Sequence, residues 1–270
     1  MTEKVTIPIY QIDAYADQLF AGNPAAVCPL DTWLPDEVMQ KIAAENNLAE
    51  TAFFVAEGEA YHLRWFTPAV EVPLCGHATL ASAFVIFTHL HPELIRIRFQ
   101  TASGQLEVSR ASDNGQLAMR LPARGSTSFV GNSRPLVSAL GREPEFLLRG
   151  EYDMAVYRSA ADVQAVTPDM AALSDRGRGV IITAPAPAGE RDFDVVSRFF
   201  FPAEAVPEDA VTGSAHCQIV PYWCARLGRT DLVAFQASPR GGYLYCSYEG
   251  GDTVIQRGYC VPYLEGVIRV

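Results

Sequence analysis

The sequence predicts an α+β fold made of two related halves. The main observation is an internal repeat, in which residues 64–73 (RWFTPAVEVP) return 134 positions later as residues 198–207 (RFFFPAEAVP). Gly-His-Ala at 76–78 then returns as Gly-Ser-Ala at 213–215, after three additional residues. The period is close to half of the 270 residues. It indicates duplication of a whole structural unit, because solenoid repeats recur every ~20 to 50 residues.

Both copies of the repeat follow one local pattern. An apolar, aromatic segment typical of a strand leads through a proline-containing loop to a glycine, and a run of small residues typical of a buried helix follows. The free N–H groups and the dipole at a helix start favour an anion, and glycine there lets a ligand approach the backbone closely. Two such helix starts facing one cleft predict a carboxylate site, although two buried helices with tight entries explain the same pattern.

Composition excludes several classes of protein. The 49% hydrophobic and 19% charged fractions are those of an ordinary globular chain. A net charge of −10 and scattered arginines argue against a nucleic-acid surface. The N-terminus lacks the apolar core of a signal peptide, and the longest apolar run, near residues 81–90, is interrupted and too short to span a bilayer. We therefore expect a cytoplasmic protein without membrane segments.

Metal and disulfide chemistry are not indicated. The six cysteines show no C-x-x-C pairing, which favours reduced thiols over disulfides or a zinc site. His89 and His91 lie in a loop sequence without a third ligand at metal-binding spacing. We therefore predict no metal.

The first half is expected to be mostly strands. Apolar or alternating patterns of strand type occupy positions 5–13, 25–28, 48–55, 61–66, 96–99, 105–108 and 116–121. Residues 103–104 and 113–115 are hairpin turns. Asp31 or Thr32 is expected to cap a helix that begins near 35–37 and ends around 46–47.

The second half repeats this pattern less regularly. The segment 122–128 is the best linker, a short helix is expected to start at 167–170, and further strands are predicted at 179–184, 193–200, 243–248 and 261–270. Pro221 is expected to kink the second small-residue helix or end it early. We place the three additional residues of the second copy within 208–212.

Two carboxylates stand out as candidate acids or bases. Glu50 lies at the mouth of the otherwise apolar strand predicted at 48–55, where desolvation would raise its pKa, as general acid–base catalysis near neutral pH requires. Asp209 precedes the second small-residue helix. Asn23, in the turn Ala-Gly-Asn-Pro at 21–24, could offer its amide to a ligand. A solvated strand-end Glu50, a turn aspartate and an ordinary Asn-Pro turn are the structural alternatives.

Several linked motifs resemble one known family. Residues 48–53 (LAETAF), 75–79 (CGHAT) and 208–216 (EDAVTGSAH) together resemble the PhzF-like (phenazine biosynthesis) family of the diaminopimelate epimerase superfamily. The turn at 21–24 and Arg-Gly-Gly at 240–242 extend this resemblance over nearly the whole chain, in order. The resemblance implies two pseudo-symmetric domains, each a sheet wrapped around a central helix, with a cleft between them. We place these domains at 1–120 and 121–270, with the option that the strand near 261–270 crosses back to the first.

The resemblance also implies site residues. It assigns proton transfer to Glu50, places His77, Asp209 and Ser214 around the reacting carbon, and lets Gly76 and Gly213 bind the substrate carboxylate. Asn23 and Cys75 are further candidates for substrate binding. No cofactor is implied, the substrate is a small carboxylic acid, and the family forms homodimers.

The sequence departs from the epimerase branch of that superfamily. Epimerases of this branch use two cysteines, one before each central helix. Cys75 occupies the first position, but Thr212 stands at the second, and Cys217 lies five residues too late, inside the helix. A two-thiol mechanism lacks its second thiol, while a catalytic part for Cys75 stays open.

The sequence therefore predicts an isomerase that moves a proton on a small carboxylic acid, without metal or organic cofactor. Two alternatives remain open. One is an epimerase or racemase of a small amino or hydroxy acid, which uses Glu50 or Cys75 against Asp209. The other is a non-catalytic protein of the same fold that binds carboxylates. A Ser-His hydrolase is disfavoured because no G-x-S-x-G elbow surrounds Ser214.

Overall fold

A computed structural model describes most of the chain. It describes residues 5–111, 114–187, 189–190, 192–204 and 206–270. The contacts divide the chain into two compact units, one made of Met1–Arg120 with Arg257–Val270 and the other of Leu121–Gln256. Asp113, in one of the predicted hairpin turns, lies outside the described residues.

The described residues form strands and six α-helices. The strands are β1 Thr6–Ala14, β2 Asn23–Leu30, β3 Glu50–Glu57, β4 Ala60–Phe66, β5 Glu71–Val72, β6 Arg96–Thr101, β7 Gly104–Arg110, β8 Leu117–Pro122, β9 Thr127–Ser128, β10 Phe146–Arg149, β11 Asp153–Val156, β12 Val180–Pro185, β13 Val195–Phe201, β14 Val206–Asp209, β15 Asp231–Gln236, β16 Gly242–Ser247, β17 Thr253–Gly258 and β18 Cys260–Arg269. The helices are α1 Asp36–Asn46, α2 Gly76–Val85, α3 Arg134–Leu140, α4 Ala160–Ala165, α5 Met170–Ser174 and α6 Gly213–Leu227.

The first unit is a sheet around α2. Strand β1 pairs antiparallel with both β18 and β2, β2 pairs parallel with β3, and β3 pairs antiparallel with β4. Strand β4 then pairs antiparallel with β5 and parallel with β6, which continues antiparallel into β7. Nine of the ten residues of α2 are buried, and the helix packs on β1, β2, β3 and β18. A helix of small and apolar residues on every side is stable only when it is enclosed in this way.

The second unit repeats this pairing order around α6. Strand β10 pairs antiparallel with β11, β11 parallel with β12, and β12 antiparallel with β13. Strand β13 pairs antiparallel with β14 and parallel with β15, which continues antiparallel into β16. Helix α6 occupies the place of α2 in the chain order, and its residues from Gly213 to Cys224 are largely buried. The predicted α+β fold class is therefore confirmed, and each unit has the same strand pairing and a central, largely buried helix.

A buried core lies beside the sheet in each unit. In the first unit, Met39, Ile42 and Ala43 of α1 pack with apolar residues of β1, β2 and β3. In the second, α3, α4 and α5 contribute to a core with β11, β12 and β13. These peripheral helices leave α2 and α6 as the central elements.

An arginine–glutamate pair marks the duplication at the level of side chains. Arg64 binds Glu71 through Nε and Nη2 at 2.7 and 2.8 Å, and Arg198 binds Glu208 in the same way at 2.7 and 2.9 Å. Strand pairing agrees, because Trp65 lies opposite Val72 and Phe199 lies opposite Asp209. The additional residues of the second copy thus come before Glu208, and their predicted place within 208–212 is wrong.

Helix α6 continues past its proline. It runs to Leu227, so the alternative of an early end at Pro221 is wrong. Pro221 has no N–H for the carbonyl of Cys217, and that carbonyl instead accepts a 2.8 Å hydrogen bond from the N–H of Arg124. The helix therefore tolerates proline without an unsatisfied carbonyl at Cys217.

The first helix begins later than its predicted cap. Pro35 is its N-cap and supplies no side-chain hydrogen bond, so the assignment of Asp31 or Thr32 as the cap is wrong. Its end is as predicted, because Asn47 follows Asn46 in the left-handed conformation that often terminates helices. Among the described residues, no helix has the length and apolar character needed to cross a bilayer.

Candidate active site

In the first unit, the start of α2 places three candidate residues together. Cys75 is the N-cap and His77 is the second helical residue, and both are nearly fully buried. The backbone carbonyl of Cys75 accepts hydrogen bonds from the hydroxyl of Thr79 at 2.5 Å and from its N–H at 3.3 Å. These bonds hold the entry to α2 in one conformation, and the Cys75 sulfur lies 3.5 Å from His77 Nδ1.

Glu50 lies against the other nitrogen of the same imidazole. It is the first residue of β3, its side chain is 15% exposed, and its Oε2 lies 3.1 Å from His77 Nε2. In the described part of the chain, neither of these two buried atoms has a hydrogen-bond partner of normal geometry. The pair therefore keeps a carboxylate oxygen and an imidazole nitrogen available to a third, reacting group.

Asn23 completes the surroundings of the imidazole. Its Nδ2 lies 3.2 Å from His77 Nδ1, and the residue is fully buried at the start of β2. An amide can present either its NH2 group or its oxygen, so Asn23 can donate to Nδ1 of a neutral ring or, after a flip of the amide, accept from Nδ1–H of an imidazolium. Gly22 makes the tight entry possible, because its φ is +65° and a Cβ there would lie 2.2 Å from the carbonyl oxygen of Ala14.

Burial and the neighbouring groups act in opposite directions on His77. Desolvation disfavours the imidazolium, but the adjacent Cys75 sulfur and Glu50 carboxylate outweigh it and hold the pKa of His77 well above its ordinary value. Burial, with the Glu50 charge, raises the pKa of the Cys75 thiol to about 11. Cys75 is therefore a neutral thiol near pH 7, and the charge that favours imidazolium comes from Glu50.

The same three residues have the composition of a metal-ligand set. Glu50, Cys75 and His77 each place one ligand-type atom within 4.8 Å of the others. Cys75 and Glu50, however, contact opposite nitrogens of the imidazole ring. His77 therefore contacts the other two members of the set through different ring nitrogens.

In the second unit, a buried glutamine holds the loop before α6. Gln236 donates from Nε2 to the carbonyl of Asp209 at 2.8 Å, and its Oε1 accepts from the N–H of Thr212 at 2.9 Å. The hydroxyl of Thr212 donates to Asp209 Oδ2 at 2.5 Å. The carboxylate of Asp209 is thereby fixed beside the N-terminus of α6.

Ser214 has a partner that sequence reasoning missed. The hydroxyl oxygen of Tyr152 lies 3.0 Å from Ser214 Oγ, and both residues are half-buried. No motif includes Tyr152, which directly precedes β11. Its counterpart in the first unit is Ala25, so the repeat gives no signal for it.

The two central helices, like α1 and α3 and unlike α4 and α5, begin without side-chain caps. Ser159 and Asp169 cap α4 and α5 with side-chain oxygens. In the described chain, Cys75 and Thr212 supply no such bond to α2 and α6. The first N–H groups of a helix have no partner within it, so the segments beginning at Gly76 and Gly213 can bind a carboxylate.

The structure thus groups the candidate residues by unit. Asn23, Glu50, Cys75, Gly76 and His77 lie together in the first unit. Asp209, Gly213 and Ser214 lie together in the second. The first unit also has a cavity of about 560 Å³, whose lining includes His89 and His91 but none of these candidate residues.

Comparison with known proteins agrees with the motifs. The model of the PhzC-PhzF family, described as phenazine biosynthesis-like protein, matches residues 12–262. The chain is 47% identical to an uncharacterized isomerase of Pseudomonas aeruginosa, over 98% of this chain and 99% of that protein. It is similar to the crystal structure of a PhzF-family phenazine biosynthesis protein of Enterococcus faecalis, with a TM-score of 0.88, 41% identity, and coverage of 98% of this chain and 99% of that chain.

A more distant structure shows how far the fold extends. The hydroxyproline epimerase of Agrobacterium vitis, solved with bound trans-4-hydroxy-L-proline, matches with a TM-score of 0.60 at 10% identity, over 98% of this chain and 93% of that chain. At this identity the likeness concerns the fold alone. The family match over nearly the whole sequence is the stronger finding, and the chain belongs to the phenazine biosynthesis-like PhzC-PhzF family of isomerases.

Proposed function

We propose that this protein moves a proton between two carbons of a small carboxylic acid, without a metal or organic cofactor, and that Glu50 is the acid/base. The observation that carries the proposal is the Glu50–His77 pair, with 3.1 Å between carboxylate oxygen and imidazole nitrogen in buried surroundings. A carboxylate is a competent base when it is positioned at the reacting C–H bond and little water surrounds it.

The proposed reaction is an internal proton shift. The carboxylate of Glu50 removes a proton from a carbon next to an activating π system, and the electron pair of the C–H bond moves into that system. The displaced π electrons form a new C–H bond at a second carbon on the same face, with the proton that Glu50 carries. Glu50 returns to its carboxylate form, so the step needs no oxidant or other reactant.

His77 controls the charge of Glu50 during this step. Because the pKa of His77 is raised, its imidazolium stabilises the carboxylate before proton abstraction and after proton return. Asn23 holds the ring from the other side through Nδ1. In this role His77 orients and stabilises the base.

The remaining candidates keep the roles that the motifs imply. Gly76 and Gly213 supply N–H groups for the substrate carboxylate, and Asp209 and Ser214 contact the reacting part of the substrate. The uncapped starts of α2 and α6 support the first assignment. Homodimer formation and a cytoplasmic location stay predictions from the family and the sequence.

An epimerase is the second candidate, because the fold is shared with a known epimerase and Cys75 stands before α2. The raised pKa of that thiol, about 11, disfavours Cys75 as a base near pH 7. A protein that binds carboxylates without turnover is the third reading. The three differ in proton exchange and in the product.

Solvent deuterium exchange followed by NMR tests the proposal. The panel is a set of small amino, hydroxy and unsaturated cyclic carboxylic acids, together with trans-4-hydroxy-L-proline. The proposal predicts deuterium at one or two carbons of a panel acid with the wild type, and a loss of at least about 100-fold in Glu50→Gln, as expected for removal of a general base.

Glu57→Gln is the matched control, because Glu57 is an exposed carboxylate at the other end of the same strand. It should retain wild-type exchange. Exchange that persists in Glu50→Gln would contradict the assignment. Inversion at a single carbon, with no second carbon protonated, would establish the epimerase instead, and binding without exchange across the panel would favour the non-catalytic reading.

A further inference from the structure

The register of the two sheets shows what replaces Glu50 in the second unit. Thr51, next to Glu50, lies opposite Phe66, and Val180 lies opposite Phe200, the residue that matches Phe66 in the repeat. The residue that corresponds to Glu50 is therefore Gly179. The same alignment matches His77 to Ser214, since Gly76 corresponds to Gly213. The second unit has thus lost both members of the acid–imidazole pair.

An aromatic side chain fills the place of the missing carboxylate. A Cβ added to Gly179 would lie 2.7 Å from Cδ1 of Tyr152 and 2.8 Å from Cζ of Phe199. The ring of Tyr152 therefore stands directly over Gly179, where any larger residue would displace it. Its hydroxyl lies 3.0 Å from Ser214 Oγ, much as the carboxylate of Glu50 lies 3.1 Å from the imidazole of His77.

We propose that Tyr152 is a positioning residue, whose hydroxyl donates to Ser214 Oγ and so directs the Ser214 hydroxyl hydrogen toward a substrate carboxylate at the start of α6. The proposal deepens the proposed function and rests on its assignment of Gly213 and Ser214 to substrate binding. The Tyr152–Ser214 pair then occupies, in the second unit, the position that the Glu50–His77 pair occupies in the first. It carries no charge, so it suits the binding of an anion.

The backbone of Tyr152 is held tightly enough for such a role. The side-chain amide of Gln218, fully buried in α6, accepts from the N–H of Tyr152 and donates to its carbonyl, both at 3.1 Å. Arg178 donates to the carbonyls of Gly150 and Glu151, both at 2.8 Å, in the turn just before Tyr152. The turn between β10 and β11 is thus anchored to the same helix that carries Ser214.

Either hydroxyl could be the donor in this contact. We assign donation to the phenol because it is more acidic than the aliphatic hydroxyl of serine. Burial raises the pKa of Tyr152 to about 12, so the phenol keeps its hydrogen near pH 7. If Tyr152 donates to Ser214 Oγ, the serine hydrogen points away from the ring. A serine next to the N-terminus of a helix can then donate to an anion together with the backbone N–H groups.

Benzoate binding tests this inference without requiring turnover. Benzoate is titrated into ¹⁵N-labelled protein while the amide signals of Gly213 and Ser214 are followed, for the wild type, Tyr152→Phe, Ser214→Ala and the double variant. Loss of one oriented hydrogen bond should raise the Kd of benzoate about 5- to 10-fold in Tyr152→Phe. Because Tyr152 acts through Ser214, the double variant should bind no more weakly than Ser214→Ala alone.

Two further variants separate positioning from general damage. Tyr157→Phe is the matched control, since this buried tyrosine of the same unit donates to the carbonyl of Arg142 at 3.0 Å, and the variant should bind benzoate like the wild type. Gly179→Ala retains the Tyr152 hydroxyl group but displaces the ring that carries it away from Ser214, and should weaken benzoate binding as Tyr152→Phe does. Thermal unfolding checks that each variant is folded.

The inference is overturned if Tyr152→Phe binds benzoate like the wild type, if the effects of Tyr152→Phe and Ser214→Ala multiply, or if benzoate leaves both amide signals unchanged. The deuterium exchange of Glu50→Gln tests the proposed function separately. Exchange that depends on Glu50, with benzoate binding indifferent to Tyr152, refutes this inference alone. Coupled benzoate binding, with exchange that does not need Glu50, refutes only the proposed function.

Discussion

When the pH falls from about 7.5 to about 4, the wild type is expected to lose about 3 kcal/mol more unfolding free energy than a His216→Asn variant. His216 is fully buried in α6, where its Nδ1 donates to the carbonyl of Thr212 at 2.8 Å and Nε2 lies 3.5 Å from Ser197 Oγ. Burial disfavours the imidazolium and lowers the pKa of His216 to about 4, only partly offset by the bond to Thr212. The side chain is therefore neutral in the folded protein.

The sign and size follow from proton linkage. Below about pH 6.5 the unfolded chain binds a proton at His216 that the folded chain does not bind until about pH 4, so stability falls as the pH falls through this interval. Each pH unit costs at most about 1.4 kcal/mol, which totals about 3 kcal/mol. His216→Asn keeps a donor for the Thr212 carbonyl but has no titrating group.

Urea unfolding between about pH 7.5 and about pH 4, followed by tryptophan fluorescence, measures this effect. Relative to the wild type, His216→Asn should gain about 3 kcal/mol of unfolding free energy as the pH falls from 7.5 to 4. Ser197→Ala is the matched control, because it removes a neighbour of Nε2 but keeps the titrating imidazole, and it should retain the wild-type slope. Parallel curves for the wild type and His216→Asn would refute the reasoning.

Two further predictions concern the first unit. Gly22→Ala should lower the free energy of unfolding by about 3 kcal/mol or more, because it combines a positive φ with a Cβ 2.2 Å from the Ala14 carbonyl oxygen. Gly58→Ala, with φ +60° and open space around the Cβ, should lower it by only about 1 kcal/mol. Urea unfolding measures both. Equal losses would show that the contact with Ala14 is relieved at little cost. Cys75→Ser should keep deuterium exchange within about 10-fold of the wild type, because a thiol of pKa about 11 is not the base; a loss above 1,000-fold would favour the epimerase.

Much of the fold was predictable because the duplication is still visible in the sequence. The motif from Arg64 keeps its Arg-x-Phe spacing and its glutamate partner in the copy from Arg198, and these residues make the same ion pair in both units. The pattern located the glycines that begin α2 and α6. A helix that is enclosed on all sides has small or apolar residues on every face, and this composition can be recognised from the local sequence.

The details that failed depend on tertiary contacts. The place of the additional residues was wrong because glutamates occur on both sides of them, and only strand pairing shows which one binds Arg198. The early end at Pro221 was wrong because the N–H of Arg124, far away in the chain, satisfies the freed carbonyl. Neither fact has a local signature.

The candidate site was only partly readable. Glu50, Cys75 and His77 were selected by motif, and the structure brings them together at the start of α2. The contact of Asn23 with His77 spans 54 residues and has no sequence periodicity. Tyr152 was missed because the strand pairing places it at the position that Ala25 occupies in the first unit, and a small apolar residue there gives no indication of a functional role.

The central claim is that the single carboxylate of Glu50 carries the proton from one carbon to the other. Its most direct test is the transfer of a deuterium label between two carbons of the same substrate molecule. Once the exchange panel has identified a substrate, it is prepared with deuterium on the carbon that loses its proton and is converted in ordinary water. A monoprotic Glu50 in a site with little water should deliver part of that deuterium to the second carbon of the same molecule. Products with measurable deuterium at the second carbon would support the account. Complete loss of the label at the earliest times, with conversion still dependent on Glu50, would contradict internal return of the proton by Glu50.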